Sequence, residues 1–171
     1  FSLNKSTYIN LRWIAYIGQL SAILIVQFIL KFDLYFFSCF LIIFLSILTN
    51  IYLKFKIKQS QLNNLISTIY LAYDILQLGI LLFLTGGITN PFIFLLIIPS
   101  VFSSQYLKVK SSIVLAIFTI LILFTLTFYY YELPHPSHSH FHVPEYYLYS
   151  IPISILIGLI FIIYFGVKFG K

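Results

Sequence analysis

Apolar residues run through this chain in long uninterrupted stretches, not along one face of a helix or at alternate positions of a strand. No charged residue falls between Asp33 and Lys54, between Lys110 and Glu132, or between Glu145 and Lys168. Each of these stretches is long enough to cross the roughly 30 Å apolar core of a bilayer as a helix. The segment from Lys58 to Lys108 is too long for one crossing. It contains a single charge, Asp74, and the turn-forming run TGGITNP at 85–91, so it folds back there. The predicted architecture is all-α: one domain over residues 1–171, a six-transmembrane-helix bundle with spans at about 12–31, 34–53, 64–84, 91–107, 111–131 and 146–167.

Composition turns that pattern into a membrane assignment. The 171 residues are 61% hydrophobic, 20% aromatic and 8% charged, with mean hydropathy +1.02. Soluble domains carry about 25% charged residues, so this chain cannot present a water-facing surface. Its length holds six or seven spans without a further soluble domain. The absence of Met implies a processed chain or a fragment, and Cys39, alone in an apolar run, is read as a buried small hydrophobe.

Charge also orients the bundle. Lys5 and Arg12 precede the first span, Lys54, Lys56 and Lys58 follow the second, Lys108 and Lys110 the fourth, and Lys168 and Lys171 the sixth, all on one side. The other side holds Lys31, Asp33, the TGGITN turn and a loop with Glu132, Glu145 and all four histidines. Both termini are therefore expected to be cytoplasmic. A cleaved signal peptide is disfavoured because the first apolar run is too long and no small-residue cleavage site follows it. Tyr129, Tyr130, Tyr131, Tyr146, Tyr147 and Tyr149 suit an outer aromatic belt. Pro99 is expected to kink the fourth helix, with Ser100, Ser103 and Ser104 satisfying the freed carbonyls.

Few residues offer chemistry. Asp74 is the one acid or base inside a predicted span, near mid-depth, with Gln77 on the same face and Gln19 and Gln27 as candidate partners across the bundle. It reads equally well as a functional group and as a hydrogen-bonded tie between helices. In TGGITNPF at 85–92, Gly86 and Gly87 permit positive φ, Asn90 stands at a helix N-cap position and Pro91 at the first helical position. A helix N-terminus there attracts a carbonyl oxygen, and Phe92 and Phe94 suit a flat ring, which together match a quinone head group. Tight joining of two helices explains the same residues more simply. His135, His138, His140 and His142 are weak metal-ligand candidates in a loop that also reads as a polar connector held extended by Pro134, Pro136 and Pro144. KFKIK at 54–58 suits contact with anionic lipid, and the scattered basic groups give no nucleic-acid patch. No histidine lies in a span, which argues against haem, and a solitary intramembrane Asp excludes an aspartyl dyad.

RWIAYIGQ at 12–19, DILQLGILLFLTGG at 74–87 and GGITNPF at 86–92 resemble the membrane sensor domain of the RegB/PrrB/ActS-type redox-responsive sensor histidine kinases. In that family a GGxxNPF heptapeptide between the third and fourth of six helices is tied to ubiquinone sensing, and Gly86, Gly87, Asn90, Pro91 and Phe92 match every specified position. The resemblance implies a ubiquinone-binding input domain in the bacterial inner membrane that controls autophosphorylation and phosphotransfer to a response regulator. Asn90 and loop N–H groups would meet a quinone carbonyl and Phe92 its ring, with Asp74, Gln77, Arg12, Trp13 and Gln19 as a supporting polar region. The expected partners are the quinone pool, the lipid bilayer, a second copy in the parent protein and the response regulator, with no nucleic acid. The phosphoacceptor histidine, the ATP- and Mg-binding kinase domain and the redox-active cysteine would follow the sixth helix, beyond Lys171, and Cys39 does not match that cysteine. The chain would thus be a non-catalytic part of a kinase. Two alternatives are a small ion or proton-coupled transporter using Asp74 and an external metal sensor using the His135–His142 loop.

Overall fold

The computed structural model describes residues 2–29, 31–132 and 145–169. Six helices follow one another: α1 (Lys5–Leu24, continued by a π-helical turn, Ile25–Ile29), α2 (Phe36–Lys56), α3 (Asn64–Leu84), α4 (a 3₁₀ start, Pro91–Leu96, then α-helix, Ile97–Tyr106), α5 (Val109–Phe128) and α6 (Glu145–Phe169). α1, α2, α3 and α5 are long and apolar enough to cross a membrane, and α4 and α6 contribute shorter apolar segments. The 3₁₀ start lengthens α4: six residues at about 2.0 Å and ten at about 1.5 Å give roughly 27 Å, close to the bilayer core.

Asparagine side chains set several helix boundaries. Asn4 caps α1 by accepting from Thr7 N at 3.1 Å, and Asn63 caps α3 by accepting from Ile66 N at 2.8 Å. At the same end of the bundle, strands β1 (Leu3–Asn4) and β2 (Gln61–Leu62) pair antiparallel, and the Lys5 ammonium donates to Ile57 O at 2.6 Å. Asn64 closes this end by donating to Ser111 Oγ at 2.7 Å and accepting from Lys108 N at 2.8 Å. Lys54, Lys56, Lys58, Lys108 and Lys110 all stand exposed there.

The distribution of side chains is inverted relative to a soluble protein. Ile14, Phe37, Phe44, Leu121, Phe124 and Ile157 face outward, while Arg12, Asn50, Gln77, Ser103 and Thr119 are buried. α1 packs on α2, α2 on α3, α3 on α5, and α4, α5 and α6 on one another. α3 belongs to both apolar cores: Leu71, Ile75 and Leu82 meet Leu96, Leu115, Leu123 and Leu159, and Leu81 meets Tyr16, Ile23, Cys39 and Ile43. Cys39 is fully buried. Gly79 lets α3 approach α5, since a Cβ there would stand 2.7 Å from Ile122 Cγ2.

Two sequence expectations change. The first helix begins at Lys5, not at residue 12, so Arg12 lies two turns inside it. Pro99 falls in the first turn of the α-helical part of α4, after the 3₁₀ segment, and the nearby serines do not serve its freed carbonyls. Ser103 and Ser104 instead donate to Ser100 O and Val101 O within their own turns, at 2.9 and 2.8 Å, and Ser100 Oγ has no partner.

Asn64→Ala removes two hydrogen bonds between the α2–α3 and α4–α5 connections. Thermal unfolding in detergent is expected to show a loss of about 1–3 kcal/mol with the helical content of the folded state unchanged.

Candidate functional site

Helical spacing puts Tyr8, Arg12 and Tyr16 on one face of α1, and Tyr70, Asp74 and Gln77 on one face of α3. The two faces meet around Arg12, which is 3% exposed. Its Nη2 lies 2.9 Å and its Nε 3.0 Å from Asp74 Oδ1. Nη2 also donates to Thr49 Oγ1 at 2.9 Å, and Nη1 makes a longer contact, 3.5 Å, with Asn50 Oδ1. The Tyr8 hydroxyl donates to Asp74 Oδ2. The rings of Tyr8, Tyr16, Tyr70 and Tyr73 stand 5.4–5.9 Å from the guanidinium carbon, which places the cation in an aromatic cage. The Tyr16 hydroxyl donates to Ser46 O at 3.0 Å, Ser46 Oγ and Tyr73 OH share a 3.2 Å hydrogen bond, and Asn50 Nδ2 donates to Ile9 O at 3.3 Å. Further along the same seam, Gln77 Nε2 donates to Gln19 Oε1 at 3.0 Å, and the reverse bond measures 3.5 Å.

This centre corrects the reading of the charges. Arg12 does not mark a water-exposed helix end, and Asp74 is not a solitary intramembrane acid: the two neutralise each other inside the bundle. A lone carboxylate was the basis of the transporter alternative, and the folded chain does not contain one. Gln19 is the partner of Gln77, whereas Gln27 accepts from Leu34 N at 3.1 Å within the α1–α2 connection. Trp13 stands exposed beside the centre, edge-on to Tyr16 at 6.0 Å. Tyr8, Thr49, Asn50, Tyr70 and Tyr73 had not been singled out from the sequence. The available signal was the i, i+4 repeat of polar groups continuing on both sides of Arg12.

The TGGITNPF turn lies at the other end of α3, about eleven residues and roughly 16 Å along the helix from Asp74. Gly86 and Gly87 both adopt positive φ, 105° and 50°. Gly87 also lies directly under Tyr130, where a Cβ would collide with the ring. Asn90 is buried and holds the turn together: its Nδ2 donates to Thr85 O at 2.9 Å and Thr85 Oγ1 at 2.8 Å, and its Oδ1 accepts from Phe92 N at 2.9 Å. Both amide protons are thus used inside the turn. The expected hydrogen bond from the Asn90 amide to an incoming carbonyl is replaced by an internal clamp. Pro91, Phe92 and Phe94 project outward from it. Nearby, Tyr131 N donates to Phe83 O at 2.9 Å, and the exposed Tyr131 ring packs against Phe83 and Tyr35.

The turn and the Arg12 centre are therefore separate places joined by α3. His135, His138, His140 and His142 lie outside the described residues, and among the described residues no group of three or more His, Cys, Asp or Glu side chains could hold a metal.

The family model described as the PilS-like transmembrane domain matches residues 15–168. The chain is also 32% identical over 157 residues to the sensor histidine kinase RegB of Cereibacter sphaeroides, covering 91% of this chain and 34% of that relative. It thus spans about a third of the relative's length. No solved structure matches.

Removing one member of a buried ion pair strands the other. Arg12→Leu or Asp74→Leu alone is expected to destabilise the bundle by about 3–5 kcal/mol, and the double variant Arg12→Leu/Asp74→Leu to regain most of that loss. Reversible unfolding in detergent, analysed as a double-mutant cycle, measures the coupling.

Proposed function

Since the chain belongs to the PilS-like transmembrane domain family, we propose that it is the membrane input domain of a sensor histidine kinase and that it reads the redox state of the quinone pool through ubiquinone bound at the TGGITNPF turn. The observation that carries this reading is the outward presentation of Phe92, 44% exposed, on a turn locked by Asn90 and by the close approach of Gly87 to Tyr130. A fixed aromatic face at the end of an apolar bundle suits a flat head group whose isoprenoid tail stays in lipid. Asn90 supports that face from behind. The exposed Tyr131 hydroxyl, which has no partner among the described residues, supplies a donor for a ring carbonyl.

The rest of the reading follows from the topology. Exposed Lys54, Lys56, Lys58, Lys108 and Lys110 stand at the end that holds the start of α1 and Lys31 at the other, an imbalance that supports a cytoplasmic setting for the first end and for the end of α6 in a bacterial inner membrane. α6 packs on α4 and α5, and α4 continues directly from the turn, so occupancy of the turn has a path to the segment after α6. In the whole protein that segment leads to a dimeric kinase that uses ATP and Mg²⁺, phosphorylates itself and passes the phosphate to a response regulator.

In nanodiscs, Phe92→Ala is expected to weaken binding of a short-tail ubiquinone about threefold to tenfold, the worth of one aromatic contact, without lowering the thermal midpoint. Asn90→Ala is expected to weaken binding and lower the midpoint together, because it releases the turn. Unchanged affinity in Phe92→Ala would remove the turn as the binding site. A reporter fused after Lys171 tests the orientation by its activity on the cytoplasmic side.

A further inference from the structure

The Arg12–Asp74 centre keeps hydrogen-bonding capacity that the chain does not use. A guanidinium has five N–H donors and an ionised carboxylate about four acceptor positions. Arg12 uses two donors on Asp74, one on Thr49 and one on Asn50, leaving one Nη1 proton. Arg12 and Tyr8 fill three of the carboxylate positions, leaving one on Oδ2. Among the described residues nothing takes either.

The centre is also open to one side. Asp74 lies ten residues from each end of α3, roughly 15 Å, yet its side chain keeps 20% exposure. An exposed carboxylate at that depth is costly against acyl chains unless a polar group covers it. α1 and α3 both pack on α2 but hardly approach each other through their backbones. Side chains bridge the seam between them: Tyr8 and Arg12 reach Asp74, and Gln19 reaches Gln77. Thr49 and Asn50 of α2 form its floor, and exposed Trp13, Ile17, Leu76 and Ile80 flank it on the lipid side.

We propose that this seam is a second ligand site, which takes the head group of a lipid-soluble phenol, the hydroquinone form of ubiquinone, in preference to the oxidised ring. The choice of ligand class rests on the reading of the turn as a quinone site; the location and the preference rest on the centre itself. A hydroquinone hydroxyl donates to the open Oδ2 position of Asp74. A quinone carbonyl only accepts, so it sets its oxygen against the carboxylate. The surrounding tyrosine rings suit a flat aromatic head. The turn lies roughly 16 Å away along α3, so one head group does not occupy both places.

Trp13, the only tryptophan in the chain, adjoins Arg12, and α1 runs a further sixteen residues, roughly 24 Å, to the end that carries the turn. Quinone rings quench indole emission at short range, so Trp13 reports the seam. With the 171-residue chain in nanodiscs, a short-tail ubiquinone is expected to quench Trp13 saturably, and its hydroquinone, added anaerobically, to restore the emission at roughly fivefold lower concentration, the worth of one net hydrogen bond. Tyr8→Phe frees a further acceptor position on Asp74 and is expected to strengthen the competing hydroquinone severalfold, which a purely structural role does not predict. Quenching of Trp13 that stays linear in quinone and is indifferent to Tyr8→Phe overturns the proposal. A Trp13→Phe/Phe92→Trp variant separates the two sites: saturable quenching at position 92 alone leaves the turn standing and removes the seam, and saturable quenching of Trp13 alone does the reverse.

Discussion

The bilayer core supplies little water, so a buried charge depends on partners within the chain, and the cation of Arg12 is the most demanding group in this bundle. Its needs draw on three helices: Asp74 from α3 neutralises it, Thr49 and Asn50 from α2 take further donors, and tyrosines from α1 and α3 enclose it. Apolar packing alone would leave α1 free to slide along α2, because lipid tails are as favourable a neighbour as leucine. A charge pair with fixed donor and acceptor directions permits only one register. Around Arg12 the packing is set by electrostatics, and elsewhere by close approach, as at Gly79 against Ile122.

Asparagine does the corresponding work at the connections. Its side chain carries both donor and acceptor, so one residue can cap a helix and tie a neighbour. Asn64 joins two connections at the lysine-rich end, and Asn90 closes the turn at the other. The turn is consequently a rigid platform whose polar groups are mostly satisfied internally. Its outward face is aromatic, with Phe92 and Phe94 exposed and the Asn90 amide turned inward.

The sequence made the number of helices, the fold-back at 85–91 and the burial of Cys39 legible, because these follow from hydrophobic length and from the backbone demands of Gly and Pro. The heptapeptide that carried the family resemblance lies in the turn where Gly86 and Gly87 take positive φ. Arg12 was misread for a physical reason. A basic residue near the start of an apolar run ordinarily marks the water interface, and only its partner 62 residues later on another helix reveals that it is buried. Asn90 was placed correctly as a cap, through its bond to Phe92 N. Its two bonds to Thr85 depend on how the turn curls, which spacing does not encode. The cage of tyrosines was hidden among many tyrosines with nothing local to distinguish them.

α3 touches both places. Its last turn meets Asn90 through Thr85, and its middle meets α1 through Asp74 and Gln77. A continuous 21-residue helix transmits a shift along its axis with little loss, because each turn is hydrogen-bonded to the next. A shift of one or two ångströms is tolerated by apolar side chains that slide against their neighbours. The Arg12–Asp74 bonds, at 2.9 and 3.0 Å, do not tolerate it, since hydrogen bonds weaken steeply beyond their optimum. The pair therefore holds the middle of α3 in one axial register against α1, while the apolar contacts around it allow sliding.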